Sequence, residues 1–188
     1  MATKIYIDQG HNPQGPNAGA ESSGVLEQNI TYEVGRILAD LLQRSGNYET
    51  RLSRPTETTA LGNTNSESLM ARVNDANAWG ADYFVSIHAN TSSNPAASGS
   101  EAFAYTSPSR AFSFGEDILE GLNETTGLRN RGMKTRTNLY VLRRTNMPSV
   151  LVELGFMTNA DDLFLMVERP DLFAEGIYDG IVAYVGLA

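Results

Sequence analysis

Both histidines of this chain stand at the end of a short apolar run, and that placement leaves few folds open. Lys4-Ile5-Tyr6-Ile7-Asp8 leads through Gln9-Gly10 to His11, and Phe84-Val85-Ser86-Ile87 leads directly to His88. A third run, Ser149-Val150-Leu151-Val152, ends in Glu153. Runs of this length, rich in β-branched and aromatic residues, suit buried strands. Helix-sized segments separate them, and strands alternating with helices predict a mainly parallel sheet. In such sheets ligands bind beyond the carboxyl ends of the strands. Parallel pairing would therefore bring His11, His88 and Glu153 together at one sheet edge.

The intervening segments carry their own signals. Ile30, Val34, Ile37, Leu38, Leu41 and Leu42 fall on one face of a 3.6-residue period and predict a helix over residues 27–44. Ser45-Gly46-Asn47 stops it. A short strand is expected over 48–53, a helix over 66–79 ended by Gly80, and strands over 81–88 and 100–105. Ser107 as N-cap and Pro108 at the first helical position predict a helix to about residue 126. Residues 127–138 read as a basic, polar connection, and 139–142 and 149–153 as strands. Thr158 or Asn159 caps a short helix to about residue 168, and Pro170 opens the last one, to about 185. Residues 9–25 and 54–65 carry loop chemistry. The expected fold is α/β, a three-layer sandwich with a largely parallel sheet of about six strands flanked by helices on both faces. Residues 1–188 are expected to form a single catalytic domain.

A net charge of -8 argues against a nucleic-acid partner, whose electrostatic footprint is basic. No apolar run approaches the roughly 20 residues of a bilayer span, so no membrane insertion is expected. The first residues do not read as a basic, apolar signal sequence, so none is expected in this stretch. With no cysteine present, any metal must be held by His, Asp or Glu. Two imidazoles and a carboxylate match a catalytic zinc site with an open position for water. A further carboxylate nearby can take a proton from that water and hand it on. Glu153 is costly to bury without a partner. Glu27 is a fourth candidate, although an acidic residue in a first helical turn also meets the helix dipole favourably.

Four motifs stand in order with helix-sized gaps: Tyr6-Ile7-Asp8-Gln9-Gly10-His11, Leu26-Glu27-Gln28-Asn29, Ser86-Ile87-His88-Ala89-Asn90 and Pro148-Ser149-Val150-Leu151-Val152-Glu153-Leu154-Gly155-Phe156. Together they resemble the signatures of the zinc-dependent N-acetylmuramoyl-L-alanine amidases of the amidase-3 type, over essentially the whole chain. Arg72 and Thr158-Asn159 match as well. The resemblance implies that His11, Glu27 and His88 hold one Zn²⁺ and that Glu153 is the catalytic carboxylate. Glu21 is the competing acidic ligand, but it lies in the loop, whereas Glu27 opens the helix as the family pattern does.

The implied reaction is hydrolysis of the amide between N-acetylmuramic acid and L-alanine in bacterial peptidoglycan. The implied place of action is the cell wall, reached by a secreted autolysin or by a phage endolysin at lysis. Asn90 and Arg131 are substrate-binding candidates, Arg131 as part of a basic stretch with Arg129, Lys134 and Arg136 that would meet stem-peptide carboxylates or simply be a solvated loop. Two departures stand out. Gln9 occupies a position where the family usually has proline. Some members also carry a long helical insert after the second histidine that blocks the zinc. Here residues 90–99 leave no room for one, which implies a site that needs no activator protein. A zinc exo- or carboxypeptidase is the nearest alternative; such enzymes need a cation for the terminal carboxylate, and no arginine stands in an obvious place. A non-catalytic wall-binding module is a second, disfavoured by the intact set of four residues.

Overall fold

A computed structural model describes residues 2–186. Its strands and helices are, in order, β1 (Thr3–Gln9), the hairpin β2 (Glu21–Ser22) and β3 (Val25–Leu26), α1 (Glu27–Arg44), β4 (Tyr48–Leu52), α2 (Asn65–Trp79), β5 (Tyr83–Asn90), β6 (Ser100–Ala104), α3 (Arg110–Thr126), β7 (Asn130–Thr135), α4 (Tyr140–Arg144), β8 (Ser149–Phe156), α5 (Ala160–Glu168) and α6 (Pro170–Val185). Six strands form one sheet in the order β4-β1-β5-β8-β6-β7. The first four run parallel; β6 is antiparallel to β8, and β7 follows β6.

The three-layer α/β expectation is met because successive side chains on a strand point to opposite faces. Ile5, Ile7, Val85, Ile87, Val150 and Val152 face a core shared with α1, α3 and α6. Tyr6, Phe84, Phe103 and Leu151 face the opposite way, into a smaller core with α2 and α4. Both layers cover the central strands, so β1, β5 and β8 are apolar without alternation, as parallel strands buried on both faces are. Glycines let α3 and α6 touch backbone to backbone: a Cβ at Gly121, Gly176 or Gly180 would collide with main-chain or nearby atoms of the other helix. Among the described residues no helix is long and apolar enough to cross a membrane.

Three local expectations are corrected. Residues 139–142 do not form a strand; they belong to the start of α4, with Val141 and Leu142 buried toward α2. Four apolar residues in a row carry no period to distinguish the two. The sixth strand is instead β7, inside the stretch read as a polar connection. As an edge strand it needs no continuous apolar run, and Met133 alone reaches the main core. The third helix starts at Arg110, capped by Ser109 Oγ, which accepts from the Phe112 amide at 3.1 Å; Ser107 and Pro108 lie before it. Of the two proposed caps of α5, Asn159 is the one used, its Oδ1 accepting from the amides of Asp161 and Asp162.

Candidate active site

The site is built on a buried ion pair. Asp8 lies on β1 facing α2, and Arg72 projects from α2 to meet it. Arg72 Nη1 donates to Asp8 Oδ1 (2.6 Å), the Gln9 carbonyl (2.7 Å) and Ser53 Oγ (3.2 Å). Its Nη2 donates to the His11 carbonyl (2.6 Å) and Asn12 Oδ1 (3.3 Å). Ser86 Oγ on β5 donates to the other Asp8 oxygen at 2.7 Å. Burial alone would raise the Asp8 carboxyl, but the charge and hydrogen bond of Arg72, with the Ser86 hydroxyl, outweigh it and hold the group below the usual range. One guanidinium thus ties down the carbonyls at the place where β1 gives way to the loop.

His11 sits in that loop with φ 70°, a left-handed conformation uncommon outside glycine. Its Nδ1 lies 3.2 Å from the Asn17 carbonyl oxygen. A carbonyl only accepts, so Nδ1 carries a proton, and Nε2 is the ring nitrogen turned toward Glu27. Gln9 is a brace beside it: the backbone N–H donates to Ser53 Oγ at 3.0 Å, the side-chain amide donates to the Tyr32 carbonyl, and its oxygen accepts from the Arg54 amide. A proline here would lose all three bonds, having neither the backbone N–H nor the side-chain amide.

Glu27, the first residue of α1, is buried and reaches between the histidines. Its Oε1 lies 3.1 Å from His11 Nε2 and 3.0 Å from His88 Nδ1, and accepts from the Ala89 amide at 3.1 Å. Its Oε2 accepts from the Ala20 amide at 3.0 Å. Burial opposes its ionisation, but the two imidazoles prevail and hold the carboxyl far below the ordinary range. Burial likewise works against a charged His88, and the Glu27 carboxylate overrides it and raises that imidazole. These three side chains could hold a metal ion. Glu21 lies outside the cluster, exposed on β2. Two glycines leave the room: a Cβ on Gly10 would come within 2.5–2.6 Å of the His88 ring, and one on Gly19 within 2.8–2.9 Å of Glu27 and His11. Their role is spatial, so no sequence pattern announced it.

Glu153 on β8 pairs in register with His88 on β5, and Glu101 on β6 with Glu153. The three occupy one row across the sheet, on the face toward α2 and α4. Glu153 Oε2 is buried and has no hydrogen-bond partner among the described residues. Burial raises its carboxyl to about 7, with His88 pulling down and the like charges of Glu27 and Glu101 pushing up. Asn90 and Arg131, the expected substrate contacts, are both found on Glu101: Asn90 Nδ2 donates to Oε1 at 3.0 Å and Arg131 Nε to Oε2 at 2.9 Å. Glu101 escaped the sequence reading because nothing around it departs from an ordinary strand. Beside the histidines opens a cleft of about 210 Å³, walled by Leu69, Leu139, Val141 and Leu151. A larger hollow of about 540 Å³ lies beside Lys4, Asp82 and Arg110, among residues that include no histidine.

A family model described as N-acetylmuramoyl-L-alanine amidase matches residues 5–183, nearly the whole chain. The chain belongs to the amidase-3 family. Among curated relatives, the amidase LytC of Bacillus subtilis is 37% identical over 184 residues, covering 96% of this chain and 35% of LytC. The chain thus spans about a third of that relative's length. Among solved structures, an N-acetylmuramoyl-L-alanine amidase from Clostridium difficile 630 superposes with a TM-score of 0.87 at 29% identity, covering 98% of this chain and 97% of its own. The CwlD amidase of Clostridioides difficile, solved in complex with the GerS lipoprotein, gives 0.90 at 27% identity, covering 99% of this chain and 100% of its own.

Two variants test the electrostatics of this site. Arg72→Met should lower stability by about 3–5 kcal/mol, because it leaves Asp8 buried and uncompensated; unchanged denaturant unfolding would show that the pair is not a keystone. Glu153 has a folded-state value raised from 4.5 to about 7, so its ionisation costs stability: nothing below pH 4.5, increasing up to pH 7 and fully present above it. The metal-free Glu153→Gln protein should therefore be more stable than the parent at pH 8, by roughly 1–3 kcal/mol, and equal to it at pH 4. A difference that does not change between these two pH values contradicts the assignment.

Proposed function

We propose that this chain hydrolyses the amide bond between N-acetylmuramic acid and L-alanine in the peptidoglycan of the bacterial cell wall. In this reading one zinc ion is held by His11, Glu27 and His88, and Glu153 is the carboxylate that moves the proton. The observation that carries it is the juxtaposition of a convergent donor set with a buried carboxylate whose Oε2 has no partner among the described residues. The donors suit the ion. Ligands about 2.1 Å from a tetrahedral zinc lie about 3.4 Å apart, and the 3.0 and 3.1 Å separations around Glu27 Oε1 are of that size. When bound, zinc supplies Lewis acidity to the amide carbonyl and to the attacking water.

The chain's own groups do the rest. Water adds to the carbonyl carbon as Glu153 accepts its proton, and the C–N bond breaks as Glu153 gives that proton to the departing L-alanine amine. Burial makes this carboxyl hold a proton more readily than a free one, which suits it to carry the proton from water to amine. Arg72 keeps the His11 loop in place through the His11 carbonyl, and a largely apolar cleft opens beside it. We also infer that no activator protein is needed to open the site. Residues 91–99, between β5 and β6, contain no helix and are pinned to α5, with Ser98 Oγ donating to Asp162 Oδ1 at 2.6 Å and the Gly99 amide to Asp162 Oδ2 at 3.0 Å.

One observation favours a second reading, a carboxypeptidase. The cation missing from the sequence reading is supplied by β7, whose Arg131 and Lys134 both reach Glu101 beside Glu153. Membership of the amidase family weighs against it.

Metal analysis joined to turnover tests the assignment of roles. His11→Ala and His88→Ala should each lose stoichiometric zinc and activity while remaining folded, since the two cores do not depend on the ion. Glu153→Gln should retain zinc and lose about 10²- to 10⁴-fold in turnover. Full zinc in either histidine variant, or near-parental activity in Glu153→Gln, would overturn it.

A further inference from the structure

The edge strand β7 contains a device that regular pairing would not produce. Ser100 pairs with Asn130, and the next pair is Ala102 with Met133, so three residues on β7 advance against two on β6. Gly132, at φ 82°, lies within this bulge. On an unbroken strand residues 131 and 134 would point to opposite faces. The extra residue turns both to one face, where Arg131 Nε and Lys134 Nζ donate to the same oxygen of Glu101 at 2.9 and 2.5 Å. Arg136, two residues beyond Lys134, joins them, its guanidinium 5.2 Å from the centre of the Phe103 ring. Two cations thus share one carboxylate, and a third, Arg136, lies beside them in a protein of net charge -8. Arg131 is committed to structure, donating also to the Ser98 carbonyl at 3.1 Å and lying over Phe156. Lys134 and Arg136 are exposed.

Position relative to Glu153 gives these cations a direction. Across the sheet the order is His88, Glu153, Glu101, then the β7 cations. The amine that leaves must be beside Glu153 to receive its proton, and a peptide running from it along the row passes over β6 and β7. Strands are about 4.8 Å apart, which puts β7 about 10 Å from β8, and the cationic side chains reach inward over β6. Two extended residues span about 7 Å. A carboxylate on the second residue of the leaving peptide falls within that reach. We propose that Lys134 and Arg136, set in place by the β7 bulge and by the Arg131–Glu101 pair, form a subsite for that free carboxylate. The proposal rests on the amidase reading above.

The test compares two soluble muramoyl-peptide substrates that differ only in bearing a carboxylate or a carboxamide on the second residue. The zinc-loaded protein should show a kcat/KM about fivefold or more higher on the carboxylate form, in line with a charge-assisted contact at a partly exposed site. The Lys134→Gln/Arg136→Gln double variant should bring that ratio close to one, and Lys134→Arg should retain most of it. Equal rates of the parent protein on both substrates, or a ratio unmoved in the double variant, would overturn the subsite while leaving the amidase reading intact. Cleavage of neither substrate would overturn the amidase reading, and the subsite with it.

Discussion

The Asp8–Arg72 pair is the interaction on which the site depends. Both side chains are removed from water, and removing either one alone would leave a buried charge. A planar guanidinium can serve several acceptors at once, as a lysine cannot. Here it serves the carboxylate that ties β1 to β5 through Ser86, and also the carbonyls of Gln9 and His11. That is how a histidine comes to be held in a left-handed backbone conformation at a fixed distance from a second histidine on the neighbouring strand. Gly10 and Gly19 complete the arrangement by leaving space that any side chain would fill.

Two carboxylates share this end of the sheet in opposite environments. Glu27 lies between two imidazoles and accepts from the amides of Ala20 and Ala89. Glu153 is buried, carries a partnerless oxygen, and feels the like charges of Glu27 and Glu101. The environments push their proton affinities apart, and groups separated in this way divide the labour of holding charge and moving protons. Glu101 sets the far side of the row, with Asn90, Arg131 and Lys134 fixed upon it.

Much of this was legible in the sequence because burial leaves a pattern. The strand ends carrying His11, His88 and Glu153 follow apolar runs, and α1 begins at Glu27 and ends at Arg44, as its period predicts. What was not legible is what burial does not encode. β7 is a half-exposed edge, so its residues look like a polar connection, and the bulge that aligns Arg131 with Lys134 exists only in pairing. Residues 139–142 are too short a run to reveal a period. Gln9 looked like a departure beside His11 and is in fact a buried brace linking β1, α1 and the segment after β4. Glutamine does by hydrogen bonding what a stiff proline would do by restricting the backbone.

The most direct measurement is mass spectrometry of the products released from purified peptidoglycan by the zinc-loaded protein. The site described here predicts soluble stem peptides beginning with a free L-alanine amine, together with glycan strands whose muramic acid lactyl carboxyls are free and whose glycosidic bonds are uncut. Release of C-terminal amino acids with the lactyl–alanine amide intact, or shortened glycans, would contradict it.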